Sequence, residues 1–331
     1  MKHLNRDERE LLLETLLQKL DLEKAKKTLR IDPCTPSTTG SDMVWHRFAH
    51  KNQPASAWIP SGPFDRIFMR VPQEREAVFM LCHAAASELT SEGELIIYGM
   101  NDEGMRSVEE KLESIFEDVE TALTKRHARI VRAQHVKKEV TLKAHLEDWA
   151  TPVALSIGNQ TISLLSYPGT FAHGHIDPGT RLLLEHLPKL EPTSRVLDFG
   201  AGIGTISAVL KLQEPAASID LVDINAIALA AATQNVPHTR IFISDGLGAI
   251  KDFTYDLMIS NPPVHLQREQ TLEILRTFLQ TGKSLLSLYG EIRFVVQQTI
   301  PIKPLLKSLD VSGQELATDG TYVVWEVCRH R

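Results

Sequence analysis

Four apolar runs in the second half of the chain end on residues that could do chemistry: Asp198, Asp223, Asp245 and Asn261. The first, Ser194-Arg-Val-Leu-Asp198-Phe199, leads into Gly200, Gly202 and Gly204 and then into a helix-like run through Ile206 and Leu210. Glycines at a strand-to-helix turn let the backbone approach a ligand that a Cβ would hold off. The second run, Ser218 to Asp223, places a carboxylate about twenty residues beyond that turn, where it can accept both hydroxyls of a ribose. Those two features suit any Rossmann-like nucleotide site, a dinucleotide enzyme included. The third run, Arg240 to Asp245, is followed by Gly246, and the fourth, Tyr255 to Ser260, by Asn261-Pro262-Pro263.

Taken in order, the four strand ends resemble those of class I S-adenosylmethionine-dependent methyltransferases, in which they hold methionine, ribose, adenine and target in turn. The match runs from about residue 170 to the C-terminus. The resemblance implies S-adenosylmethionine as cofactor. Asp198, Gly200, Gly202 and Gly204 would border its methionine part, Asp223 and Ile224 the ribose end, and Asp245 and Gly246 the adenine.

Asn-Pro-Pro has its own physical logic. An aromatic amine or amide nitrogen is a poor nucleophile, because its lone pair is delocalised into the ring or carbonyl. The Asn261 side-chain oxygen and the Pro262 carbonyl can accept its two N–H protons and hold the nitrogen toward a methyl sulfonium. No strong base is required, since the proton leaves after the nitrogen has become cationic. Asn261 and Pro262 are therefore the candidate catalytic residues.

Upstream, Pro168-Gly-Thr-Phe171-Ala-His-Gly-His-Ile-Asp177-Pro-Gly-Thr180 precedes the glycine strand, and His265 completes Asn-Pro-Pro-x-His. Together these segments are similar to the ribosomal RNA guanine-N2 methyltransferases of the small-subunit type. The resemblance implies that Phe171, Asp177 and Thr180 lie near the cofactor, with Asn261 touching it as well. It places Pro263, Val264 and His265 at the target base, and makes ribosomal RNA or the small ribosomal subunit the partner. Val264 departs from the pattern, because the family usually carries an aromatic residue there. Stacking of such a ring on a base is worth about 1–3 kcal/mol. Asn-Pro-Pro also serves a protein glutamine amide or an adenine as acceptor. A cofactor-binding ribosome-assembly protein without turnover is a third reading. His173 and His175, with no further ligands in spacing, predict no metal site.

The elements that must position these residues form two tandem units. A chain of 331 residues exceeds one ordinary core. Asn5 and Glu8 stand as a capping box ahead of a leucine stripe from Leu12 to Leu20, which predicts an amino-terminal helix. Prolines at 33, 36, 54 and 60 predict an irregular connection from Asp32 to Gly62. Strands are expected at Arg66–Val71 and Glu94–Tyr98, alternating with helices at Glu74–Ser87 and Val108–Glu117.

Phe64-Asp65-Arg66-Ile67 and Gly93-Glu94-Leu95-Ile96 are echoed by Tyr255-Asp256-Leu257-Met258 and Gly290-Glu291-Ile292-Arg293, which reads as an internal duplication. Arg70 then stands opposite Asn261, and the first sixty residues hold no glycine but Gly40. The expected fold is α/β, two tandem Rossmann-like methyltransferase folds with the N-terminal one degenerate. The expected division is an amino-terminal helix and connection over 1–62, a scaffold or RNA-recognition domain over 63–150 and a catalytic domain over 151–331. The family named above has the same two-fold construction.

Composition sets outer limits. A hydrophobic fraction of 43% and a charged fraction of 24% are those of a folded globular chain. No run reaches a membrane span's length, and the charged N-terminus does not lead a secretory segment, so the chain reads as cytoplasmic. Three dispersed cysteines, Cys34, Cys82 and Cys328, fit a reducing compartment. A net charge of −6 argues against coating nucleic acid by charge alone. The basic run Lys125 to Lys138 is the candidate phosphate-contacting stretch or, equally, a solvated strand edge.

Overall fold

The computed structural model describes residues 5–329 apart from 21, 23–24, 26, 34–41, 51–52 and 263–267. Contacts divide the chain into two units, Met1–Phe48 with Trp58–Ala150, and Ala49–Ala57 with Thr151–Arg331. No described helix is long and apolar enough to cross a membrane.

The first unit opens with α1 (Arg6–Leu17) and continues through β1 (Thr28–Ile31), β2 (Met43–Trp45), β3 (Phe64–Arg70) and α2 (Arg75–Ser87). It closes with β4 (Leu89–Met100), α3 (Val108–Glu113), β5 (Phe116–Lys125) and β6 (Ala128–Val136). The expected capping box is present: the Asn5 side chain accepts from Glu8 N at 2.9 Å, and Asn5 N donates to Glu8 at 2.8 Å. The helix so started buries Leu13, Leu16 and Leu17 against Phe68, Ile96, Tyr98 and Ile130. The sheet order is β2-β1-β3-β4-β6-β5.

Three local expectations are corrected. The stretch expected to be irregular contains β2, parallel to β1; three residues are too few to show a period. The helix expected over Val108–Glu117 ends at Glu113, because Ile115 and Phe116 are both fully buried and Phe116 opens β5. The basic run is not a strand edge, since β6 lies between β4 and β5. Part of its charge is also neutralised, with Arg129 on Glu109, Arg132 on Glu94 and Glu120, and His135 on Asp118.

The second unit begins with a separate hairpin, β7 (Thr151–Ile157) and β8 (Gln160–Ser166), followed by α4 (Pro178–Leu184). Then come β9 (Arg195–Phe199), α5 (Thr205–Gln213), β10 (Ser218–Asp223), α6 (Ala226–Asn235), β11 (Arg240–Ile243) and β12 (Tyr255–Ser260). The chain ends with α7 (Arg268–Leu285), β13 (Leu286–Gln297), α8 (Ile302–Ser308), β14 (Gly313–Thr318) and β15 (Tyr322–Cys328). The sheet order is β11-β10-β9-β12-β13-β15-β14. Strands β9 to β13 are parallel and β15 and β14 antiparallel. Leu183 of α4 packs on Val196, Leu257, Ile259, Val295 and Val324. Parallel strands of this kind are covered on both faces and read as continuous apolar runs.

Apart from β11, each strand of the second sheet has a counterpart in the first, in the same order and the same direction. The correspondence extends to irregularities. The β3–β4 ladder shifts register between Phe64 and Arg66, and the β12–β13 ladder between Tyr255 and Leu257. A Cβ on Gly93 would stand 2.9 Å from the Phe64 carbonyl oxygen, and one on Gly290 2.9 Å from that of Tyr255. Lys27 N donates to Asp65 at 2.9 Å, and Arg195 N to Asp256 at the same distance.

With Asp65 matched to Asp256, the register places Arg30 at the position of Asp198, Asp32 at that of Gly200 and Arg70 at that of Asn261. Both arginines are claimed by carboxylates of α1. Arg70 contacts Glu10 at 2.7 Å and also Glu103 at 2.9 Å, and Arg30 contacts Asp42 at 2.7 Å and Glu14 at 3.8 Å. Ion pairs with α1 thus stand where the second unit has its strand-end acid and amide.

Candidate active site

The carboxyl edge of the second sheet collects the predicted residues. After Phe199 the chain turns through Gly200, Gly202 and Gly204 with φ of +70°, +55° and +79°, a region that residues with a Cβ enter at a cost. Gly200 N and Ala201 N donate to Val222 O at 2.8 and 3.1 Å, which stitches the turn to β10. The three glycines differ in surroundings. A Cβ on Gly202 would meet no atom within 4 Å and one on Gly200 none nearer than 3.8 Å, whereas on Gly204 it would strike Val236 at 2.9 Å. Gly200 and Gly202 thus border open space, while Gly204 is a packing position that also caps α5.

Asp198 is fully buried. Its Oδ2 accepts from Ser207 Oγ at 2.6 Å and Ser207 N at 3.2 Å. Its Oδ1 is buried with no partner among the described residues. Burial pushes its pKa up to about 7 against the pull of the Ser207 bonds, and the Asp223 charge adds to the rise. A buried carboxylate oxygen without a donor is costly, and it suits a cationic ligand group.

Asp223 ends β10. Its Oδ2 accepts from Gly202 N and its Oδ1 from Asn225 N, each at 2.8 Å. Burial raises its pKa, and the backbone N–H groups of Asn225, Gly202 and Ile224 oppose that rise. Each oxygen keeps a second lone pair for a further donor. Asn225 caps α6, accepting from Ile227 N at 3.0 Å and Ala228 N at 3.2 Å, and donates from Nδ2 to Gly169 O at 2.9 Å. One amide therefore ties Asp223 to the segment carrying Phe171.

At the third position, Asp177 caps α4 with Pro178 behind it, a pre-organised helix start. Asp177 Oδ2 accepts from Thr180 N and from Asn261 Nδ2, both at 2.9 Å, and Thr180 Oγ1 accepts from Asn261 Nδ2 at 2.7 Å. Both amide protons of Asn261 are thereby used, which fixes the flip of the side chain. No described residue donates to its Oδ1. Ser260 Oγ holds the strand end by donating to Phe199 O at 2.7 Å. A Cβ on Gly179 would stand 2.9 Å from the Tyr322 ring, so α4 and β15 close tightly beside Asp177. Burial, then the Asp177 charge, raises the Tyr322 pKa.

Hydrogen bonds thus link Asp223 with Gly202, and Asp177 with Thr180 and Asn261. Asp198 and Gly200 lie on the same turn, and Pro262 is buried beside Asn261. Ile224 and Phe171 are exposed at 37% and 44%. Asp245 is exposed just beyond β11, and Gly246 follows at φ +85°. Pro263, Val264 and His265 lie outside the described residues, as does Cys34. His173 Nδ1 shares a hydrogen bond with Ser166 Oγ at 2.7 Å. Among the described residues, Glu291, Glu326 and Cys328 form a cluster of possible metal ligands. The Arg293 guanidinium lies against both carboxylates, at 2.8 and 3.1 Å.

Sequence reasoning missed Ser207, Asn225 and Tyr322. Asn225 carried a readable signal, an amide just ahead of the apolar run Ala226–Leu229. The other two act through partners distant in sequence.

A sheet whose adjacent strand ends carry Asp245, Asp223, the glycine turn and Asn261 in that spatial order is the architecture of a class I methyltransferase. The methyltransferase small domain family matches residues 161–326, and the N-terminal domain associated with it matches residues 35–152. The ribosomal RNA small subunit methyltransferase C of Shewanella halifaxensis is 32% identical over 259 residues, 76% of this chain and 74% of that protein. Its namesake from Pseudoalteromonas translucida is 29% identical over 271 residues, 81% and 78% of the two chains. A 16S rRNA N2 G1207 methyltransferase of T. thermophilus, solved with AdoMet and guanosine, superposes with a TM-score of 0.81. That match has 20% identity and covers 96% of this chain and 91% of that one. The chain belongs to the methyltransferase small domain family, in its branch of ribosomal RNA small subunit methyltransferase C proteins.

Proposed function

We propose that this protein transfers a methyl group from S-adenosylmethionine to the exocyclic N2 amine of a guanine in ribosomal RNA of the small subunit, and does so in the cytoplasm. The observation that carries the reading is the locked amide of Asn261, with both its protons engaged by Asp177 and Thr180.

The residues present fit the cofactor. The partnerless Oδ1 of Asp198 suits the methionine ammonium, and the open side of Gly200 and Gly202 leaves room for the methionine chain. Asp223 has lone pairs left for two ribose hydroxyls. Ile224, Asp245 and Gly246 border the adenine, and Phe171 lies on the segment held by Asn225. When bound, S-adenosylmethionine supplies a methyl group on a sulfonium.

Asn261 Oδ1 and the Pro262 carbonyl accept the two N–H bonds of the target amine and aim its lone pair at that methyl. Alignment of this kind contributes several kcal/mol through lost freedom already given up on binding. As the N–C bond forms and the methyl–sulfur bond breaks, its electron pair staying on a now neutral sulfur, the nitrogen would gain the positive charge, which the two acceptor oxygens stabilise. The surplus proton then passes to solvent. Pro263, Val264 and His265 follow directly in sequence and are the residues assigned to the target base by this reading. The first unit, its own strand ends closed by α1, serves as scaffold or RNA-recognition domain.

The test is incubation with methyl-labelled S-adenosylmethionine and small ribosomal subunits, followed by nuclease digestion to nucleosides. Label in N2-methylguanosine supports the reading. Label in protein alone, or in an adenine, overturns it.

A further inference from the structure

We infer that Ala49, the first residue of the strap Ala49–Ala57, belongs to the cofactor site and that its amide positions the ribose acid Asp223. The strap falls outside residues 161–326 of the catalytic family match, yet its contacts assign it to the second unit. The residues flanking it are held fast. Arg47 is buried in ion pairs with Asp32 and Glu74, and Trp58 Nε1 donates to Ala144 O at 2.9 Å. Within the strap, His50 and Gln53 exchange backbone hydrogen bonds of 3.2 and 2.9 Å.

One peptide plane joins Ala49 to Asp223. The unit joining Ile224 to Asn225 presents its N–H to Asp223 Oδ1 at 2.8 Å and its C=O to Ala49 N at 2.8 Å. A peptide is planar and stiff, so a tilt that lengthened one bond would lengthen the other. Bonds in series through a shared amide also polarise one another. Ala49 itself is buried, so water does not readily replace its N–H. Asp223 is therefore oriented from two sides, by Gly202 N directly and by Ala49 N through the Ile224–Asn225 plane. Ala49 is a positioning residue, acting on the ribose hydroxyls without touching them. This rests on the reading of the site as one for S-adenosylmethionine.

Calorimetric titration of the full chain with S-adenosylhomocysteine tests it. Ala49→Pro removes the N–H and is expected to weaken binding roughly three- to tenfold, the value of one uncharged hydrogen bond. Ala49→Gly keeps the N–H and is expected to bind as the wild type does. In an Asp223→Asn background, the Ala49→Pro penalty should largely vanish, because the group being positioned has changed. Hydrogen exchange of the Ala49 amide in the unmodified protein gives a reading independent of that variant's folding: it should slow severalfold on saturation. Unchanged affinity in a folded Ala49→Pro protein, or unchanged exchange on saturation, overturns the inference. Absence of binding by the wild type would instead overturn the reading of the site.

Discussion

Asp32 makes in the first unit the turn that Gly200 makes in the second. Asp32 N donates to Trp45 O at 2.9 Å, as Gly200 N does to Val222 O at 2.8 Å, and both residues have positive φ, +47° and +70°. The first unit makes its left-handed turn with an aspartate where the second uses a glycine. Asp32 holds the turn because its carboxylate takes the Arg47 backbone N–H at 2.8 Å and the buried Arg47 guanidinium. A glycine there should therefore destabilise. Relief of the left-handed strain is worth about 1–2 kcal/mol, whereas removing one partner of a buried ion pair costs about 3–5 kcal/mol. Asp32→Gly is expected to lose about 2 kcal/mol net in chemical denaturation.

The glycines of the second unit should separate by phenotype. Gly202→Ala adds a methyl to open space at positive φ. It should cost about 1 kcal/mol of stability and weaken cofactor binding by far more than that strain accounts for. Gly204→Ala drives a Cβ toward Val236, Ala232 and Leu221. It should lower the melting temperature of the cofactor-free protein, since overpacking costs about 1–3 kcal/mol. Thermal melts with and without cofactor distinguish the two.

Thr180→Val and Asn261→Ala should both slow methyl transfer, in different degree. On the proposed reading, loss of Asn261 removes an acceptor of the reacting amine and is expected to cut kcat about 100- to 1,000-fold. Thr180→Val removes only one of the two acceptors that fix the amide, and a fall of about tenfold is expected. Single-turnover rates at saturating cofactor measure both.

Asp198 makes the empty protein pH-sensitive. Its carboxyl titrates at about 7 when folded, against an ordinary value of 3.8. Between those values the folded state carries a proton that the unfolded chain has released. Stability of the cofactor-free protein should therefore fall as pH rises from about 4 to about 7, and this component should flatten above. Asp198→Asn should remove it. The ionised carboxylate is the form that pairs with an ammonium, so wild-type affinity for the cofactor should rise across pH 7 while that of Asp198→Asn changes less. Urea titrations and calorimetry over that range check both.

Much of this was legible in the sequence because each repeating unit of the second sheet spells its own end: an apolar run, then an acid, glycines or an amide. The paired Phe64/Gly93 and Tyr255/Gly290 segments exposed the duplication, since each glycine sits where a Cβ would meet a carbonyl. What stayed hidden has physical reasons. Strands β1 and β2, of four and three residues, are too short to display a period of two. The turn after β1 uses an aspartate where a reader looks for glycine. The basic run showed charge but not the acids at 94, 109 and 118 that neutralise part of it. Ser207 and Tyr322 stand beside the predicted residues through contacts that no local pattern encodes.

Two sheets of one design in one chain could exchange strands while folding, a known hazard of repeats. Their charges oppose it. In the first sheet Glu94 lies between Arg66 and Arg132, and in the second Arg293 lies between Glu291 and Glu326. By the shared register, β13 seated in the first sheet would set Arg293 opposite Arg132, while β4 seated in the second would leave Glu94 beside Glu326 with no arginine between them. Like charges brought together out of water are unfavourable, so these two networks act as keys that favour each sheet's own strand.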